Sequence, residues 1–205
     1  MKAKLIDHMG TDLSVVNAAR VSFGKRHSKF VEDKDQNLIN YLAKHNHKSP
    51  FNHAFATFHV KAPVFVARQL VKHEYMPWNE ISRRYVDEEP EFYSPANWRV
   101  RSANKKQGSS KETIELSIDE AVLHAAETYK RLLVAGAAPE MARMVLPQSM
   151  MTEWYWSGSL YAFAKMCSLR LEDDTQEETR RVAQQVDESM GKLFPVSWKA
   201  LRTHL

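Results

Sequence analysis

The apolar positions of this chain change period several times, and each change marks an element. Lys4-Leu5-Ile6-Asp7 predicts a short strand. Asp12 to Arg20 predicts a helix capped by Thr11 or Asp12, and Asp33 to Lys44 a second, with Leu38, Ile39, Tyr41 and Leu42 forming one apolar stripe. Ser49-Pro50-Phe51-Asn52 is a turn signal, and Phe55-Ala56-Thr57-Phe58-His59-Val60 behind it is rich in residues that suit a pleated surface. Pro63, with its torsion preset and no N–H to lose, suits the first turn of a helix running through Val66 to His73.

Further along, Glu88 to Ser110 carries Pro90, Pro95, Asn97, Asn104 and Gly108 and reads mostly as loop. Thr113 to Ala135 predicts a long helix with Leu116, Ile118, Ala121, Val122, Ala125 and Leu132 on its buried side and Gly136 as terminator. Pro139 to Val145 and Gly158 to Leu171 predict two more helices, Thr175 to Leu193 a last long one, and Pro195 opens a short C-terminal helix. The expected fold is α+β: a single domain over residues 1–205, helix-rich, with a small and mostly antiparallel sheet.

Composition narrows the class. At 205 residues, 43% apolar and 26% charged, the chain can bury one sizeable core. No apolar stretch approaches the ~20 residues that span a bilayer, and Met1 to His8 lacks a signal-peptide apolar segment. The lone Cys167 has no partner within the chain, so a cytoplasmic setting without membrane attachment is expected. A net charge of +4 suits anionic ligands. Its cations are interleaved with acids, which argues against a nucleic-acid arm.

The densest chemistry lies in Arg68 to Tyr85, entered directly from the apolar run Pro63-Val64-Phe65-Val66-Ala67. Charge beside core-forming residues is costly unless it meets a partner or a ligand. Arg68 and Lys72 stand four apart and share a helix face, with Gln69 on an adjacent face and His73 closing the helix. The plain reading is a basic helix end that complements the macrodipole. If Asn79 to Tyr85 is extended, however, Glu80, Ser82 and Arg84 project from one side and offer an acceptor, a hydroxyl and a guanidinium together.

This stretch resembles the signature of the flavin-dependent thymidylate synthases. Their pattern is Arg-His-Arg, seven residues and Ser, embedded in Asn-Glu-x-Ser-x-Arg-Tyr; here Lys72-His73-Glu74 takes the first place and Asn79-Glu80, Ser82 and Arg84-Tyr85 match in full. Ala18-Ala19-Arg20-Val21-Ser22, Ser49-Pro50-Phe51-Asn52-His53, Phe58 to Pro63, Ala67-Arg68-Gln69, Ala142 to Pro147, and Leu169-Arg170 with Asp174, Gln176 and Glu177 resemble further family blocks in the same order. Together they cover most of the chain and are far more specific than one short motif.

The resemblance implies transfer of a methylene group from 5,10-methylenetetrahydrofolate to C5 of dUMP, followed by hydride from FAD that NADPH has reduced. It also implies a homotetramer with active sites shared between subunits. Arg170 holds the place of the activating arginine, whose guanidinium stabilises N3-deprotonated uracil and enriches C5. Its plain alternative is a helix-terminal arginine bonding its own carbonyls. The dUMP contacts implied are Gln69, Lys72, Glu80, Ser82, Arg84, Arg143 and Arg170, with Ser82 a hydrogen-bonding group rather than a nucleophile. The FAD contacts implied are His47, Ser49, Lys72, His73, Glu74, Glu80, Ser159, Tyr161 and Lys165, with Asn52 near the ring system. Cys167, inside the apolar run Ala162 to Cys167, reads as a core residue rather than a thiol nucleophile.

The departures concern charge. Glu74 stands where arginine is usual, Lys72 keeps the charge without the planar fork, and Ser159, Tyr161 and Lys165 replace Asn, Arg and Asn. A divergent branch, a viral one for instance, would carry such changes, its protein then working in the host cytoplasm. Two rival readings are weaker. The basic pI and His45-Asn46-His47 suggest a nucleic-acid module or nuclease, and His45, His47, His53, His59 and His73 a metal-dependent hydrolase. None of these histidines has a specific metal-ligand spacing, so no metal is expected.

Overall fold

The computed structural model describes residues 1–86, 88–103 and 107–205. Its strands are β1 (Lys2–Met9), β2 (Phe55–Pro63), β3 (Trp78–Glu80), β4 (Trp98–Arg101), β5 (Ser109–Ile114) and β6 (Met151–Ser159). Its helices are α1 (Asp12–Arg20), α2 (Glu32–Lys44), α3 (Val64–Leu70), α4 (Asp119–Val134), α5 (Pro139–Ala142), α6 (Leu160–Arg170), α7 (Glu177–Leu193) and α8 (Pro195–His204). The fold is α+β, as expected. Four strands form an antiparallel sheet in the order β1-β2-β6-β3, and β4 and β5 form a separate hairpin.

Alternation builds the core. Phe58 and Val60 of β2 and Trp154 and Trp156 of β6 point to one face and are buried. The apolar stripes of α6 (Phe163, Ala164, Cys167) and α7 (Val182, Ala183, Val186, Met190) join them in one cluster. Each large side chain so buried contributes about 1.5–3 kcal/mol. Trp78 of β3 stacks on Trp154 with centroids 4.3 Å apart, and Trp156 meets Phe163 edge-on at 5.3 Å.

Two buried carboxylates tie segments together, Asp12 across the chain and Asp35 locally. Asp12 accepts from the backbone N–H groups of Val196 and Ser197 and so caps α8 from the far end of the chain. Asp35, fully buried, accepts from Arg20, from the Val31 N–H at 2.8 Å and from His27. Burial pushes its carboxyl upward, but the Val31 N–H, Arg20 and His27 outweigh this and hold it below its ordinary range.

Several expectations need correction. The segment from Thr113 is not helical at its start: β5 runs to Ile114, α4 opens only at Asp119, and Leu116 is exposed. Ala121 is likewise exposed, and Tyr129 is the buried residue of α4. Cross-strand pairing outweighed local helix propensity there. Glu88 to Ser110 contains β4 and the start of β5, while Asn104 lies outside the described residues. The helix after Pro63 ends at Leu70, before His73. Gly158 is a strand residue, and the central strand β6 has no counterpart among the elements expected from the sequence. Gly136, at φ +86°, does terminate its helix.

Candidate active site

A cleft of about 910 Å³ opens where the C-terminal ends of α3 and α6 approach the β4–β5 hairpin. Gln69, Lys72 and Arg170 line it together with Gln176, and Phe65, Tyr93 and Trp98 form an apolar wall. Arg170, the last residue of α6, does not bond its own helix. Its Nη2 donates to the Gln69 carbonyl at 2.9 Å and its Nε donates to His73 Nε2 at 3.0 Å. The Gln69 carbonyl belongs to the last turn of α3, where helix carbonyls lack partners and carry the negative end of the dipole. The Gln69 amide in turn donates to Gln176 Oε1 at 2.6 Å.

Because Arg170 Nε can only donate, His73 Nε2 must present a lone pair, so the imidazole is neutral with its proton on Nδ1. Burial, then Arg170 and Lys165, push the imidazole down to about 4. Burial also lowers the Arg170 guanidinium, which remains charged at neutral pH. No carboxylate pairs with Arg170, Lys72 or Lys165 among the described residues. A guanidinium left without a counter-charge at the wall of a cleft is ready for an anionic or amide-bearing ligand.

The signature does not run as one strand. β3 ends at Glu80, and Ser82 to Tyr85 form a turn in which Ser82 Oγ accepts from the Arg84 backbone N–H and from its Nε. The expected single face of Glu80, Ser82 and Arg84 is therefore replaced by a strand end and a turn. Both Glu80 oxygens are engaged: Thr152 donates to Oε1 at 2.6 Å and Trp78 Nε1 to Oε2 at 3.0 Å. Arg143 is exposed on the 3₁₀ turn Arg143–Val145, its Nε 3.4 Å from the Glu140 carbonyl. Glu80, Ser82, Arg84 and Arg143 do not line the cleft that holds Gln69 and Arg170.

The second set gathers at the start of α6. Ser159 is its N-cap; its Oγ accepts from the Ala162 N–H and donates to Asn52 Oδ1 at 2.6 Å. Tyr161 donates to Asn46 Oδ1 at 3.3 Å, and the Lys48 ammonium lies 5.7 Å from its ring centroid. His47 and Ser49 are exposed on the adjoining segment between α2 and the 3₁₀ turn Ser49–His53. Lys165 follows Tyr161 by one helical turn and acts on His73, so α6 links this set to the Arg170 end. Glu74 is exposed beside Tyr75, which adopts φ +60° and turns the chain so that Met76 enters the core against Gly158.

Cys167 is buried in α6, and burial pushes its thiol far above the range of a nucleophile. No cluster of three metal-ligating side chains occurs among the described residues. No helix there is long and apolar enough to cross a membrane.

Sequence reading missed the hairpin wall. Arg99 Nη2 donates to both oxygens of the buried Glu178 at 2.7 Å, Tyr93 donates to the same carboxylate, and Arg99 also pairs with Glu177. Gly108 lies so close to the Asp174 backbone that a Cβ would meet its carbonyl oxygen at 2.8 Å. No local signal in the sequence connects Arg99 with a carboxylate 79 residues away.

Comparison with known proteins identifies the family. The family model described as thymidylate synthase complementing protein matches residues 4–196. A flavin-dependent thymidylate synthase of Thermus thermophilus is 41% identical over 207 residues, covering 98% of this chain and 76% of the relative. That of Kosmotoga olearia is 39% identical over 205 residues, covering 96% and 88%. The crystal structure of the UMP/dUMP methylase PolB from Streptomyces cacaoi, bound with 5-Br dUMP, superposes with a TM-score of 0.87 at 32% identity, covering 98% of this chain and 94% of that one. A match across nearly the whole sequence places this chain in the thymidylate synthase complementing protein family, the flavin-dependent thymidylate synthases.

Proposed function

We propose that this protein methylates C5 of dUMP to give dTMP, taking the one-carbon unit from 5,10-methylenetetrahydrofolate, with NADPH as the source of reducing equivalents. Residues 1–205 act as one domain of a homotetramer in this reading. The observation that carries it is Arg170: a guanidinium with no ion pair among the described residues, on the wall of a nucleotide-sized cleft, in a chain whose one thiol is sealed in the core. Facing the uracil O2 and N3 edge, Arg170 stabilises negative charge on N3, and the electron density reaches C5. Gln69, pinned by Gln176, orients the nucleotide beside it.

The FAD site is supported by Lys48, Lys72 and Lys165 around α6, which have no carboxylate partner among the described residues, and by the polar groups His47, Ser49 and Tyr161 near its start. These residues fit an anionic diphosphate, and His73, Lys72, Lys165 and Tyr161 would hold it; Glu74 works against it. When bound, the flavin supplies the hydride that completes the methyl group. Ser159 contributes by capping α6 and holding Asn52 in place. Glu80, Ser82, Arg84 and Arg143 complete the nucleotide site across subunits.

Tritium release from C5-labelled dUMP tests the reading, with reduced folate, NADPH and FAD present. Release dependent on all three additions is expected, from a purified protein that takes up FAD and turns yellow. C5-labelled UMP is run in parallel, because one structural relative carries both nucleotides in its name. A colourless protein that releases no tritium from either nucleotide would overturn the proposal.

A further inference from the structure

We propose that His73 is a positioning residue for Arg170, holding its guanidinium so that only the far edge is presented to the nucleotide. A guanidinium has a side edge, made by Nε–H and one Nη2 N–H, and an end edge, made by the remaining Nη1 and Nη2 hydrogens. Here the protein occupies the whole side edge: Nε goes to His73 Nε2 at 3.0 Å and Nη2 to the Gln69 carbonyl at 2.9 Å. The end edge keeps its parallel pair of N–H donors, the fork that matches two adjacent acceptors such as the O2 and N3 of an ionised uracil. The inference rests on the thymidylate synthase reading and adds a role for His73 beyond cofactor contact.

The pairing requires unusual chemistry of the histidine. A protonated imidazole would set two donors face to face and repel the guanidinium, releasing the side edge. Burial with Arg170 and Lys165 close by keeps the ring neutral, pushed down to about 4. Exposed Lys72 and Glu74 flank it in sequence, and no carboxylate hydrogen-bonds to it among the described residues. Lys165, four residues after Tyr161 on α6, thus helps keep His73 an acceptor. Arg170 has four rotatable side-chain bonds and stands at a helix end; without its two anchors it would sample orientations that a single ligand contact must then select.

The test uses full-length protein with His73→Leu and His73→Asn, which remove or shorten the acceptor, and His73→Gln, whose amide oxygen reaches a similar distance. In flavin-free protein labelled with 15N-arginine, the Arg170 Nε–H resonance, assigned by its loss in Arg170→Lys, should be protected from exchange in the wild type and His73→Gln. It should be averaged out in His73→Leu and His73→Asn. In the reaction, with FAD added to saturation and its occupancy read by absorbance, those two variants should lose about 10²-fold in kcat for tritium release while the KM for dUMP changes by less than about threefold. His73→Gln should recover most of kcat. A protected Nε–H in His73→Leu or His73→Asn, or wild-type kcat in these variants at full flavin occupancy, would overturn the positioning role. A wild-type protein with a protected Nε–H but no tritium release would instead overturn the functional reading and leave the Arg170–His73 pairing standing.

Discussion

At the scale of single residues, the fold has altered the ionisation of His73, Cys167 and Arg170. In the proposed reaction Arg170→Ala removes the donor to the uracil edge; tritium release should fall by at least about 10²–10³-fold, the usual cost of an oxyanion-type donor. FAD uptake, followed by absorbance, should be unchanged, and intact turnover would remove Arg170 from the chemistry. Cys167→Ala makes the opposite case. Burial keeps this thiol protonated, and its S–H donates a weak hydrogen bond to the Ala183 carbonyl at 3.7 Å. The substitution should cost about 1 kcal/mol in chemical denaturation and leave turnover intact. The burial of Cys167 was legible in the chain from the largely apolar run Ala162 to Cys167, and Arg170 was singled out by the block it lies in. The pairing of Arg170 with His73 was not legible, since the two are 97 positions apart and meet only when α3 and α6 end side by side.

At the scale of elements, the β4–β5 hairpin closes one wall of the cleft, and Glu178 at the start of α7 is its latch. Burial pushes this carboxyl upward, but Arg99 and Tyr93 outweigh it and hold it below the ordinary glutamate range. A carboxyl depressed in the fold gives its full stabilisation above the unfolded value of about 4.3 and loses it as pH falls through the lower folded value. Acidification should therefore raise amide exchange in Trp98–Arg101 and Ser109–Ile114 ahead of the main sheet. Glu178→Ala should produce the same local exchange at neutral pH and cost about 2–3 kcal/mol, less than a fully sealed pair because Arg99 keeps some water. Unchanged exchange in the hairpin would show that Gln107 and Gly108, which dock on Asp174, hold it alone.

The helices that form the apolar stripes were readable from periodicity; β6 was not. Its inward positions include Thr152 and Gly158 and its outward ones Tyr155, which blurs the alternation of Trp154 and Trp156. The Trp-Tyr-Trp run between Pro147 and Gly158 was the signal available for a strand.

At the scale of the whole molecule, the candidate residues divide. Gln69, Lys72 and Arg170 share the cleft, whereas Arg84 and Arg143 sit on an exposed turn and on the arm of α4, α5 and Arg143–Val145, whose parts pack chiefly on one another. If subunits share sites, two inactive variants carry defects in different sites and can rescue each other. Coexpressed Arg84→Ala and Arg170→Ala chains should recover up to about a quarter of wild-type turnover by random mixing, with a tetrameric mass in sedimentation. Mixed tetramers without any recovery would assign both arginines to one subunit's site.

The sequence by itself determined the family, the reaction class and most of the helices, because these rest on local periodicity and on blocks of residues held in a constant order. Tertiary structure alone decided which edge of Arg170 is free, which histidine stays neutral, and which hairpin walls the cleft. Those depend on groups brought to hydrogen-bonding distance from remote parts of the chain, and on the water that their packing removes.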